Sequence, residues 1–314
     1  MHRRQFALGL AGFVAASAAQ IGAAGPAFAR SERKPAPHKP FAGVKALGKL
    51  EHGVGGRLGV SVLDTGTGQS FGWREDELFG MCSTFKLSLA ALVLREVDAG
   101  RLDANERLMW SVLDLLPNSP VTGAAIGPQG MTVTALAQAA QATSDNLAAN
   151  LVMRRLGGPG ALTAFWRSLG DTVSRLDRYE TALNMVPAGE QRDTTSARAI
   201  TRSAAQFLAG PVLSAPSRDM LLRWMAGTTT GTRRIRAGLP AGWGAGDKTG
   251  TGMAPGMESK INDIAVVFPP GRAPLVVTCF YEPADAPQTI RPQDEAVHAA
   301  VGRIIADPAA WKQR

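Results

Sequence analysis

Four short groups of residues in this chain could together carry out acyl transfer. In Ser83-Thr84-Phe85-Lys86 a hydroxyl and an amine are three residues apart, so one helical turn sets them side by side. A serine needs such a base before it can attack a carbonyl. Ser144-Asp145-Asn146 follows, with Ser144 and Asn146 expected to face a cleft and Asp145 to turn inward. Glu180-x-x-x-Asn184 adds a carboxylate that can take a proton from water and an amide that can help hold that water. Lys248-Thr249-Gly250-Thr251 reads as a strand edge, where Gly250 lets a ligand approach the backbone.

Each group alone is weak. Ser31-Glu32-Arg33-Lys34 repeats the first spacing in a charged, proline-studded stretch, and Glu258 to Asn262 repeats the third. Ser83 could simply cap a helix, and Ser144 or Asp145 could cap one beginning near Asn146. Glu180 has the richer context: Arg178, Tyr179, Pro187, Gly189 and Asp193 around it read as an Ω-loop. Arg178 and Asp193 are placed to pin its neck as a charge pair.

The elements that must position these groups are visible in the hydrophobic pattern. A helix is expected over residues 41–52 and strands over 58–64 and 70–73. Helices follow over 83–99, 133–142, 145–155, 160–168, 196–208 and 217–225. Strands return over 245–251, 263–269 and 275–281, and a helix over 292–305 closes the chain with Ala296, Val297, Ala300, Val301 and Ile304 on one face. Strands at both ends with helices between them imply an α+β fold, one sheet built from distant segments with an all-helical lobe inserted. The expected division is residues 41–74 plus 228–314 for the sheet lobe and 75–227 for the helical lobe. A cleft between the two is the natural site.

The chain has 314 residues, a formal net charge of +8 and two cysteines. Its basic residues are scattered, with no stripe of interleaved aromatics, so nucleic acid is not an expected partner. Arg3-Arg4-Gln5-Phe6, a weakly apolar stretch and Ala27-Phe28-Ala29 read as an export signal over residues 1–29, of twin-arginine type or else Sec. Residues 30–40 read as a flexible lead-in, and no other segment is apolar enough to anchor the chain in a membrane. The expected product is a periplasmic or secreted monomer. His38, His52 and His298 have no ligand-like spacing, which argues against a metal-dependent enzyme, and no cofactor is expected.

The ordered set Ser83–Lys86, Ser144–Asn146, Glu180–Asn184 and Lys248–Gly250 resembles the class A serine β-lactamases over essentially the whole mature chain. The resemblance implies a five-stranded antiparallel sheet flanked by helices and a β-lactam as substrate. It implies Ser83 as nucleophile, Lys86 as its proton partner, and Ser144 as donor to the leaving nitrogen. It also implies Asn146 on the substrate's side-chain amide and Glu180 with Asn184 on the deacylating water. Lys248, Thr249 and Thr251 would take the substrate carboxylate, and the backbone N–H groups of Ser83 and Thr251 the oxyanion. One of Arg233, Arg234 and Arg236 would support the carboxylate site, with Arg234 the better match.

Two departures stand out. Some carbapenem-hydrolysing relatives pair a cysteine at the Cys82 position with one just after Lys-Thr-Gly, and here that place is Gly252. Cys82 and Cys279 are expected to stay free and buried, a bond between them being the alternative. In Leu116-Pro117-Asn118-Ser119-Pro120, Asn118 occupies the place of an aromatic residue at the cleft mouth. Cys82, Thr251 and Arg234 lean toward the broad-spectrum, carbapenemase-like branch, and Gly252 leans away. The competing reading is a penicillin-binding peptidase or transpeptidase acting on cell-wall peptides. A β-lactam sensor domain is a more distant third.

Overall fold

Strand-forming sequence from the two ends of the chain meets in one sheet. The computed structural model describes residues 40–313. In chain order the elements are α1 (Ala42–Val54), β1 (Arg57–Asp64), β2 (Ser70–Trp73), β3 (Leu78–Gly80), α2 (Phe85–Asp98), β4 (Arg107–Leu108), α3 (Pro120–Ala124) and β5 (Met131–Thr132). They continue with α4 (Val133–Ala142), α5 (Asn146–Arg155), α6 (Pro159–Ser168), β6 (Thr194–Ser196), α7 (Ala197–Leu208) and α8 (Ala215–Ala226). β7 (Gly244–Gly252), β8 (Lys260–Phe268), β9 (Leu275–Glu282) and α9 (Pro292–Ala306) complete the chain.

The sheet is antiparallel and five-stranded, in the order β2-β1-β9-β8-β7. Val60 pairs with Cys279 across most of the sequence, and β7, which carries Lys248-Thr249-Gly250, is an edge strand as expected. Alternate residues of β8 point to opposite faces, so Ile264 and Val266 join the apolar cluster made mainly by α2 and α4–α8. Ala265 and Val267 join the one made by α1, β1 and α9. Burial on both faces explains the apolar runs Ile264–Val267 in β8 and Leu275–Val277 in β9.

The main elements match the sequence expectation to within a few residues. The two-residue and three-residue ribbons β4–β5 and β3–β6, and the single-turn helix α3, are too short to leave a periodic signal. On α9 the buried face runs through Asp294, Val297, His298, Val301 and Ile305, while Ala296 is exposed. Val297 and Val301 are buried as expected, and the face is shifted at Ala296 because Asp294 and Glu295 are buried acids paired with arginines, Asp294 with Arg291 and Glu295 with Arg233. Among the described residues no helix is long and apolar enough to cross a membrane. The export signal expected over 1–29 and the decoy at Ser31 lie outside the described residues.

Candidate active site

Ser83 sits in a single 3-10 turn, Cys82–Thr84, that runs directly into α2. No side chain caps that helix, so the Ser83 hydroxyl is not spent on capping. Cys82 before it holds φ 47°, a left-handed value uncommon outside glycine. Lys86, one turn on and fully buried, places Nζ 3.0 Å from Ser83 Oγ. The same nitrogen lies 2.8 Å from the Ser144 carbonyl, 3.5 Å from Ser144 Oγ, 2.5 Å from Asn146 Oδ1 and 3.0 Å from Glu180 Oε1. An ammonium has three N–H bonds, so five oxygens compete for them. Burial pushes the Lys86 amine below its ordinary pKa, with the Glu180 carboxylate opposing. A buried amine of this kind can give up its proton far more easily than a solvated one.

Asp145 caps α5, accepting the Ala148 N–H over 2.8 Å, and also binds Thr122 Oγ1 and the Val121 and Thr122 N–H groups. The capping role and the cleft-facing role are therefore divided between neighbours: Asp145 turns inward, and Ser144 turns its hydroxyl to within 3.0 Å of Lys248 Nζ. Asn146 spends its amide nitrogen on the Pro117 carbonyl, 2.8 Å away.

Glu180 reaches the same cluster from the segment 178–193. Its Oε1 accepts from Ser83 Oγ over 3.2 Å and its Oε2 from Asn184 Nδ2 over 2.7 Å. Asn150, one turn beyond Asn146 on α5, grips the Glu180 backbone through both its N–H and its carbonyl, 2.9 and 2.8 Å. The ends of the loop are tied: Asp193 Oδ1 accepts the Asp177 and Arg178 N–H groups, and Oδ2 lies 2.5 Å from Arg178 Nε. Asp193 is fully buried. Arg178 is partly exposed, so removing the Asp193 charge loses a charged hydrogen bond worth about 1.5 kcal/mol or more. An Asp193→Asn variant is therefore expected to exchange amide hydrogens at least tenfold faster across residues 178–193. Unchanged protection there would show that the pair does not hold the loop.

The edge strand β7 completes the cleft. Lys248 is fully buried and its amine is held well below the ordinary value, first by desolvation and then by Lys86. Thr249 shares a 2.6 Å hydrogen bond with Thr230. Gly250 has a close neighbour within the protein itself. A Cβ there would fall 2.7 Å from the Met81 carbonyl oxygen and 3.0 Å from the Thr84 nitrogen. The turn carrying Ser83 makes a close approach that itself demands glycine at this position. The three arginines also separate. Arg234 is buried and donates to the Gly250 and Asn262 carbonyls and to Thr251 Oγ1. Arg233 is exposed and pairs with Glu295, while Arg236 pairs with Asp247. Burial pushes the Asp247 carboxyl up to about 6 against that pairing.

Ser83, Asn118, Ser144, Asn146, Asn184, Thr249, Thr251 and Arg234 all line one open cleft of about 620 Å³. A second cavity, about 550 Å³, lies behind the Ω-loop and holds none of the motif side chains. Asn262, end of the decoy spacing from Glu258, points elsewhere, binding the Gly80 and Met81 carbonyls. No group of three or more His, Cys, Asp or Glu among the described residues is arranged to hold a metal.

Known proteins resemble this chain over most of its length. The sequence profile of the Beta-lactamase enzyme family matches residues 44–308. The carbapenem-hydrolyzing β-lactamase KPC of Klebsiella oxytoca is 45% identical over 268 residues, covering 85% of this chain and 86% of that protein. The β-lactamase SME-1 of Serratia marcescens is 44% identical over 244 residues, covering 77% and 82%. Among solved structures, the class A β-lactamase of the last common ancestor of Gram-negative bacteria (GNCA4) matches with a TM-score of 0.79 at 48% identity, over 84% of this chain and 98% of that one. This chain belongs to the class A β-lactamases.

As a class A β-lactamase it hydrolyses β-lactams, and it does so without the disulfide considered above. Cys82 and Cys279 are free and fully buried, and burial pushes the Cys82 thiol up to about 12. A Cβ on Gly252 would lie 2.7 Å from Cys82 Sγ. Across a disulfide with an S–S bond of about 2.05 Å, the corresponding separation is about 3 Å. A Gly252→Cys variant of this β-lactamase is expected to bond to Cys82 under oxidant and gain about 2 kcal/mol or more of stability. Non-reducing mass spectrometry and melting read this out; two free thiols and an unshifted Tm would contradict it.

Sequence reasoning missed Asn150 and Thr230. Asn150 had a signal, since a polar residue four places after Asn146 lands on the same buried helix face. Thr230 had none, because its contact with Thr249 is purely tertiary.

Proposed function

We propose that the enzyme opens penicillins, cephalosporins and carbapenems through a covalent ester on Ser83 and releases them with a water activated by Glu180. The observation that carries this reading is the shared cluster: Ser83 Oγ lies 3.0 Å from Lys86 Nζ and 3.2 Å from Glu180 Oε1, while Asn184 binds the other Glu180 oxygen. Lys86 takes the Ser83 proton as the hydroxyl attacks the lactam carbonyl. The backbone N–H groups of Ser83 and Thr251 hold the resulting oxyanion. Ser144, bridging Lys86 and Lys248, returns a proton to the departing ring nitrogen. Lys248, Thr249 and Thr251 receive the substrate carboxylate, with Arg234 adding its field through Thr251. Asn146 hydrogen-bonds the substrate's side-chain amide. Glu180 and Asn184 then hold a water against the acyl carbon, and Glu180 takes its proton.

The inclusion of carbapenems is supported by the likeness to the carbapenem-hydrolyzing KPC protein. Gly252, with no sulfur to offer Cys82, argues against copying that spectrum wholesale. The Glu180 loop favours hydrolysis over the peptidase reading, since a peptidase that holds its acyl group has no use for a second base. A panel of one penicillin, one oxyimino-cephalosporin and one carbapenem, each followed through burst and steady state, tests the proposal. Sustained turnover of all three is expected; a single-equivalent burst followed by arrest with the penicillin or the cephalosporin would overturn the hydrolase reading, and arrest with the carbapenem alone would overturn its inclusion. Export through the leader at residues 1–29, to the periplasm or beyond, is the proposed location, supported by the twin arginines, the weakly apolar stretch and Ala27-Phe28-Ala29.

A further inference from the structure

Asn118 sits on the exposed rim of the cleft with φ 56°, in the left-handed region that asparagine enters more readily than most side chains. Its amide nitrogen donates to the Ser144 carbonyl over 3.0 Å, and its own carbonyl accepts the Asn146 N–H over 2.9 Å. One residue thus holds the Ser144–Asn146 turn at two points. The Ser144 carbonyl is also the oxygen that accepts from Lys86 Nζ over 2.8 Å. Ser144 itself holds φ 60°, a conformation that costs a non-glycine residue about 1 kcal/mol or more and persists only when neighbours enforce it. Its hydroxyl is 3.0 Å from Lys248 Nζ and 3.5 Å from Lys86 Nζ.

We propose that Asn118 is a positioning residue for acylation. By fixing the Ser144 peptide plane it sets where the Lys86 amine and the Ser144 hydroxyl stand when the proton moves to the leaving nitrogen. This inference rests on the reading of Ser83, Lys86 and Ser144 as the acylation machinery. The Glu180 backbone and its Oε2 are held by Asn150 and Asn184, and only its Oε1 touches Lys86, so deacylation depends on Asn118 less than acylation does. An aromatic side chain in this place would give the cleft a wall but no donor for the Ser144 carbonyl.

Asn118→Gly keeps the left-handed backbone without strain and removes the amide, and Asn118→Asp keeps the size and removes the donor. Single-turnover kinetics would follow acylation and deacylation separately, with a small penicillin and a bulky cephalosporin, beside Ser144→Ala. The loss of one hydrogen bond predicts acylation about fivefold slower in both Asn118 variants, by the same factor for both substrates. Deacylation slows by a smaller factor, because Glu180 keeps its contacts with Asn150 and Asn184. Wild-type acylation in both variants, while Ser144→Ala is impaired, would overturn the positioning role alone. So would a loss that scales with substrate bulk, which marks direct contact, or an equal loss in deacylation, which marks general loosening. Wild-type acylation by Ser144→Ala would remove the proton path itself, and the positioning role with it.

Discussion

A Glu180→Gln variant is expected to lose about 10³-fold in steady-state turnover of a penicillin while still opening the first equivalent at a measurable rate. The amide preserves the shape of the carboxylate and its contact with Asn184, but it cannot take a proton from water. Acylation has a second route for the proton, through Lys86, whose amine touches Ser83 Oγ at 3.0 Å and is pushed down by burial. Removing the Glu180 charge also removes the interaction that opposes that shift, so Lys86 becomes easier to deprotonate. The two steps therefore respond in opposite ways, and the ester accumulates. Stopped-flow absorbance reads both phases at once. Full turnover by the glutamine variant would mean that water is activated by another group.

Gly250→Ala is expected to lower kcat/KM by about 10²-fold or more through acylation. The added methyl would meet the Met81 carbonyl oxygen at 2.7 Å and the Thr84 nitrogen at 3.0 Å, both backbone atoms that cannot rotate away. β7 and the Ser83 turn must then separate, and with them the two N–H groups assigned to the oxyanion. Donors of this kind act only when they stand at the correct distance from the developing charge. Gly252→Ala is the control on the same strand. Its methyl meets the Cys82 sulfur at 2.7 Å and Asn184 O at 3.4 Å, and a smaller loss is expected. Near wild-type kinetics in Gly250→Ala would show that the contact between β7 and the turn does not set the site.

The motif residues were legible because acyl transfer demands particular side chains at short, helix-compatible spacings. Ser83 with Lys86 is one helical turn, and Glu180 with Asn184 is one loop turn. The sheet was legible because β8 and β9 are apolar on both faces. Choices that depend on burial were not. Three arginines within four positions look alike in sequence, and only packing against β7 and β8 sets Arg234 apart. The need for glycine at position 250 was visible, but its cause was not, since the atoms it avoids are more than 150 positions away in the chain. Asn118 read as a missing wall, whereas its side chain is a tether to Ser144. The charged face of α9 was hidden in part for the same reason: Glu295 is paired with Arg233 from a distant segment, while Asp294 is paired with Arg291 at the start of the helix.

Mass spectrometry of the Glu180→Gln protein, quenched in acid seconds after mixing with a penicillin and then digested, tests the central claim most directly. The peptide containing Ser83 through Lys86 should carry the full mass of the intact antibiotic, on Ser83, and the wild-type protein under the same conditions should carry almost none. An unmodified Ser83 peptide in a variant that still opens the ring, or an adduct on another residue, would contradict the account.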